Sequence, residues 1–79
     1  MQHKHPNLIK LGKKIRATRS ASGYSQEAIA AAAQIDRAYM GRIERGEQNL
    51  SFQNLVRIAL ALKVEIGDLV PSLKEFKMP

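Results

Sequence analysis

The chain has 79 residues, 44% of them hydrophobic, with a net charge of +6 and no cysteine. That length fits one small domain, residues 1–79, and leaves no room for a second domain or a sizeable ligand pocket. The lack of cysteine excludes a disulfide framework, a thiolate metal site and a cysteine nucleophile. The excess charge is confined to one part of the chain: residues 1–46 hold nine Lys or Arg against three acids, residues 47–79 four against four. A basic half beside a neutral half suggests a polyanion-binding face and a separate packing or assembly face. No apolar run approaches the ~18 residues of a membrane span, and no signal-peptide pattern opens the chain, so a cytoplasmic protein is expected.

In chain order, Met1 to Pro6 is polar, and His3 and His5 form an H-x-H pair with too few companions for a metal site. Asn7 is a plausible N-cap for a first helix, Leu8 to about Ser22, with Leu8, Leu11 and Ile15 on one buried stripe. Lys10, Lys13, Lys14 and Arg16 decorate its other faces, Gly23 ends it, and Tyr24 is expected to fold back on the core. Arg19 lies four residues after Ile15, on the apolar stripe, where an unpaired charge is costly. Spacing alone leaves two readings open: a partner carboxylate, of which Glu44 is nearest, or an arginine that snorkels to solvent.

Ser25 to Gly46 reads as two short helices joined by a tight turn. Ser25 and Asp36 are N-caps, Ile35 is buried in the break, and Gly46 stands where a left-handed residue closes the second helix. Ile29, Ala30 and Ala33 face inward in the first of the pair. Gln26 occupies its first turn, where free N–H groups attract phosphate. At ~100° per residue, Met40 and Ile43 of the second helix point inward. Ala38, Gly41, Arg42 and Arg45 point outward, with Arg37 and Tyr39 on the edges. Small residues let a backbone approach closely, and arginines supply bidentate donors to guanine or phosphate.

Ser51 caps a fourth helix, Phe52 to Lys63, whose apolar residues cover ~200° of the wheel, more than one buried stripe needs. A short last helix near Gly67 to Val70 stops at Pro71, and the tail still carries Leu73, Phe76 and Met78. This surplus predicts a subunit interface from Leu60, Ile66, Leu69, Val70, Leu73 and Phe76. No set of residues can serve as nucleophile and base, no metal site is expected, and nothing calls for a cofactor or small-molecule ligand. A non-enzymatic binding protein is expected.

Arg19, Gly23-Tyr24-Ser25-Gln26, Ile29-Ala30, Ile35, Ile43-Glu44-Arg45-Gly46, Leu50-Ser51-Phe52, Ile58-Ala59, Ala61-Leu62 and Val64 together carry a resemblance. From about Leu11 to Val70 the chain resembles the Cro/repressor-type (Xre) helix-turn-helix regulators of bacteria and phages. Asp36-Arg37, Tyr39 and Ile43-Glu44-Arg45 look most like the controller proteins of restriction–modification systems. The resemblance implies an all-α, five-helix, lambda-repressor-like domain, core about 8–70, that binds an operator in double-stranded DNA as a homodimer. It implies a buried Arg19–Glu44 pair. It places Arg37 and Ala38 on base edges, Arg42 one turn further on, and Tyr39 near the backbone or a base step. Gln26 would meet one backbone, and Arg45, Gln48 and Asn49 the other, with Lys13 as a further phosphate contact.

Three departures from the family pattern stand out. Gln34 occupies a turn position commonly glycine, which costs ~1–3 kcal/mol if φ is positive. Ala38 can offer only methyl contact, and Arg42 is larger than its usual counterpart. Several antitoxins share this fold, so an antitoxin that binds a partner protein and its own promoter is the alternative to an autoregulatory repressor or controller.

Overall fold

The computed structural model describes residues 4–79, so His3 of the H-x-H pair lies outside the described residues. Five helices follow one another: α1 (Pro6–Ala21), α2 (Gln26–Ala33), α3 (Arg37–Glu44), α4 (Phe52–Leu62) and α5 (Ile66–Leu69), then a 3-10 turn, Leu73–Glu75. No strand occurs among the described residues.

Each helix starts on a side chain that satisfies an orphan backbone N–H. Ser25 accepts from Ala28, Asp36 from Tyr39 and Ser51 from Asn54, as their positions predict. In α5 the Asp68 carboxylate accepts from the Glu65 N–H at 3.1 Å. The start of α1 departs from expectation. His5, not Asn7, is the N-cap, its Nδ1 accepting from the Asn7 N–H at 3.0 Å. Pro6 takes the first helical position, where its missing N–H costs nothing. Asn7, displaced into the helix, is free to reach the C-terminal tail: its amide donates to the Lys77 carbonyl and accepts from the Lys77 N–H, at 2.7 and 2.9 Å. The Lys10 ammonium donates to the Glu75 carbonyl. The tail is thereby tied along α1.

The first four helices all end in the same way. A left-handed residue (Gly23, Gln34, Gly46, Lys63) follows each, and the next N–H reaches back five residues to a helix carbonyl. Those donors are Tyr24 to Arg19, Ile35 to Ala30, Glu47 to Arg42 and Val64 to Ala59. Gln34 does take the positive φ its position demands, 58°, and Lys63 does the same at 59°, without glycine at either site.

The core is built from all five helices. Ile15, Ile29, Met40, Ile58 and Leu69 are its largest fully buried side chains, with Ala30, Ala33, Ile35, Ile43, Ala59 and Leu62 around them. α1 crosses α3 at Gly12, where a Cβ would lie 2.5 Å from the Ile43 carbonyl oxygen, so only glycine permits that approach. The loop after α3 packs equally closely, a Cβ on Gly46 falling 2.6 Å from Ile9 Cα.

Two further residues depart from expectation. Tyr24 does not fold onto the core; it is 44% exposed, because its backbone closes α1 and its ring is left outside. Leu69 is 0% exposed and belongs to the core rather than to an interface. α5 is a single turn against α1 and α4, and Leu69 is the residue it buries. The other apolar residues assigned to an interface keep surface: Leu60 and Leu73 are 72% and 85% exposed, and Ile66, Val70 and Phe76 are half-buried. Leu8, Leu11, Leu55, Val70, Leu73 and Phe76 line an open apolar groove of about 660 Å³ under the tail. No helix of the described residues is long and apolar enough to cross a membrane.

Candidate nucleic-acid interface

The site is assembled on the buried ion pair that links α1 to α3. Arg19 Nε donates to Glu44 Oε2 at 2.7 Å and Nη2 to Oε1 at 3.0 Å, a bidentate pair with both residues buried. The Arg19 Nη1 donates to the Tyr24 carbonyl at 2.7 Å, so the guanidinium is also tied to the turn before α2. Of the two readings open from spacing, pairing is the one observed. The hydrogen bonds that Arg19 donates to the Glu44 carboxylate raise the Arg19 pKa above its ordinary value, against the opposing effect of burial. Gln26 completes the cluster, its Nε2 donating to Glu44 Oε1 at 3.1 Å. The start of α2 and the end of α3 therefore share one carboxylate, which sets the angle between the two helices.

On α3, Arg37 and Ala38 stand exposed in the first turn, beyond the Asp36 cap. Tyr39 is half-buried and its hydroxyl accepts from Asn54 Nδ2 of α4 at 3.3 Å. Arg42 departs from the outward position expected of it. It is half-buried, its guanidinium carbon 5.6 Å from the Tyr39 ring centroid, within cation–π range. Its Nε is buried with no hydrogen-bond partner among the described residues. Gly41, also expected to face outward, is buried because Arg45 folds back over it, Nη1 lying 3.1 Å from where a Cβ would stand.

Arg45 is not a free cation. Its Nε and Nη2 donate to the two carboxylate oxygens of Glu47 at 3.0 and 3.2 Å, and Lys4 Nζ lies 3.4 Å from the same carboxylate. The hydrogen bond from Arg45, reinforced by Lys4, holds the Glu47 carboxyl below its ordinary pKa, and Arg45 rises in return. Half-buried Gln48 and exposed Asn49 lie in the loop between α3 and α4, and Lys13 is exposed on α1. Among the residues named from sequence for a DNA face, Gln26 opens α2, Arg37, Ala38, Tyr39 and Arg42 lie on α3, and Arg45 is the C-cap of α3.

Sequence reasoning passed over Glu47, Asn54 and Gly12. The acid two residues after Arg45 was visible, and so was a glycine inside a helix, which is unfavourable unless something packs against it. Asn54 had no such signal, since only the packing of α4 brings it to Tyr39.

A family model described as Helix-turn-helix matches residues 15–69. The chain is 42% identical over 67 residues to the control protein C.BamHI of Bacillus amyloliquefaciens, across 81% of this chain and 83% of that protein. Its fold superposes with a TM-score of 0.81 on the restriction–modification controller protein C.AhdI from Aeromonas hydrophila, at 40% identity, over 82% of this chain and 98% of that one. It superposes with a TM-score of 0.70 on SinR, a master regulator of biofilm formation solved in complex with DNA, at 33% identity, over 75% and 95% of the two chains.

Proposed function

This chain belongs to the Cro/C1-type helix-turn-helix family, and its relatives include the control protein C.BamHI and the restriction–modification controller protein C.AhdI; on that premise we propose that it is a transcriptional regulator of the controller type, acting in the cytoplasm as a homodimer on a two-fold operator. The observation that carries the reading is the exposed first turn of α3. Arg37 and Ala38 stand exposed there, while Arg19, Glu44 and Gln26 tie the other end of α3 to α1 and the start of α2. Inserted in a major groove, Arg37 offers a bidentate fork to guanine O6 and N7, and Ala38 a methyl contact to thymine. Tyr39 and Arg42, stacked on one another, serve as a second reading element at a base step. Gln26, Lys13, Arg45, Gln48 and Asn49 contact phosphates, which set register and most of the affinity.

One recognition helix reads too few base pairs to find a site among ~10⁶–10⁹ competitors, which is the reason for a dimer. Leu60, Ile66, Val70, Leu73 and Phe76 remain as its interface once Leu69 is assigned to the core.

The decisive experiment is selection of bound duplexes from a random pool. Paired half-sites about one helical turn apart are expected. Affinity for the selected site should fall ~10³–10⁵-fold between 50 and 200 mM salt if six to ten phosphates are neutralised. Recovery of no preferred sequence, or a flat salt response, excludes the operator reading.

A further inference from the structure

A carboxylate at the end of a helix offered to DNA is electrostatically out of place, yet Glu47 is held there firmly. Its N–H donates to the Arg42 carbonyl at 2.8 Å, the closing bond of α3, so its position is a consequence of how that helix ends. Its side chain is only 15% exposed, whereas that of Arg45, which lies over it, is 56% exposed.

The Nε and Nη2 edge of Arg45, the fork with which a guanidinium grips phosphate bidentately, is filled by the two Glu47 oxygens at 3.0 and 3.2 Å. The remaining terminus, Nη1, lies back over Gly41, which has no side chain to obstruct it. Lys4 adds a second cation to the same carboxylate at 3.4 Å. Two cations beside the end of α3 thus already share one anion, and Gly41 and Glu47 together form a seat for the folded-back arginine.

We propose that Glu47 is an internal stand-in for a DNA phosphate: in the free protein it occupies the fork of Arg45 and draws in Lys4, and both cations engage the DNA backbone only when a phosphate displaces it. The proposal rests on the reading of the α3–α4 loop as a backbone-gripping element. Because the contact is to phosphate and not to bases, the mask lowers affinity for operator and random duplex alike. It tunes how much protein is needed for occupancy without altering which sequence is read.

The test uses the full chain with E47Q, R45A and the double substitution, titrated with the selected operator and with a random duplex. The nitrogen-bound proton of Arg45 Nε is followed by NMR in the absence of DNA. E47Q is expected to tighten both duplexes by a similar factor, about 3–10-fold, an exposed ion pair and a nearby like charge being modest effects. In the R45A background the same substitution should gain less than half as much, and in E47Q the Arg45 Nε proton should shift and exchange faster. An unchanged or weakened affinity in E47Q overturns the proposal, since Glu47 would then orient Arg45 for its contact. A gain that persists undiminished without Arg45 overturns it too, as simple charge repulsion, and so does an unmoved Arg45 resonance. If E47Q frees Arg45 and neither protein binds any duplex, the DNA reading itself fails and the pair is only a surface ion pair.

Discussion

Glu44 is the residue on which most of the site depends, because one carboxylate accepts from both Arg19 and Gln26. Glu44→Ala leaves the Arg19 guanidinium buried without its counter-charge, and thermal or urea unfolding should register a loss of ~3–5 kcal/mol. Replacing both partners with apolar residues of similar volume should recover much of that loss, since the cost lies in the orphaned charge and not in the missing bond. A second contrast at the same scale separates reading from gripping. Arg37→Ala should cost ~1–3 kcal/mol on operator DNA and relax one base pair per half-site in a selection experiment. Lys13→Ala should weaken operator and random duplexes equally. Equal losses on both duplexes for Arg37→Ala would move that residue to the backbone.

Among the elements, the shared closure of α1 to α4 is what turns short helices into fixed angles. Two of the four closures use glycine, whereas Gln34 and Lys63 hold φ near +60° with a Cβ in place. A left-handed L-residue costs ~1–2 kcal/mol, so Gln34→Gly and Lys63→Gly are each expected to stabilise the fold. Part of that gain is offset by the greater freedom of glycine in the unfolded chain. A gain of ~1 kcal/mol would raise the melting temperature by ~4–8 °C in a domain of this size. Gln34→Val should lower it, because a β-branched side chain fits that backbone worst. The Gln34 closure is braced from α4, Arg57 Nη1 donating to the Gln34 carbonyl at 3.2 Å. Part of the strain in the helix-turn-helix is therefore met by tertiary contact.

For the whole molecule, the question is which apolar residues hold one subunit together and which are left for a second. Leu69→Glu places a charge in a site with no solvent access and should unfold the monomer. Leu60→Glu with Leu73→Glu alters exposed positions and should leave a folded chain. Sedimentation should then report a monomer with weakened operator binding. If that pair of changes leaves the dimer intact, the interface lies elsewhere. The tail contributes to this balance. Asn7 and Lys10 hold its backbone on α1, which leaves Leu73 largely exposed and Phe76 half-covered along the groove they line.

Three of the helix caps, the helix order, the basic and neutral halves and the match to a known pattern could be read from sequence, because they depend on residue types and on residues at fixed spacing along the chain. Ser25, Asp36 and Ser51 announce helix starts by chemistry that acts within three residues, and Gly46 announces an end in the same way. The Arg19–Glu44 pair was left open by spacing and decided by the close crossing of α1 and α3 at Gly12, a contact between residues far apart in the chain. The same holds for what the sequence misplaced. The helical wheel puts Gly41 and Arg42 outward, the surplus of apolar residues puts Leu69 at an interface and residue type puts Asn7 at a helix start, whereas each belongs where a neighbouring element takes it. α1 and α4 close over Leu69, Arg45 covers Gly41, Tyr39 attracts Arg42, and the tail claims Asn7. Periodicity determines which side of a helix is apolar, but only packing decides which of the remaining sides still meets water.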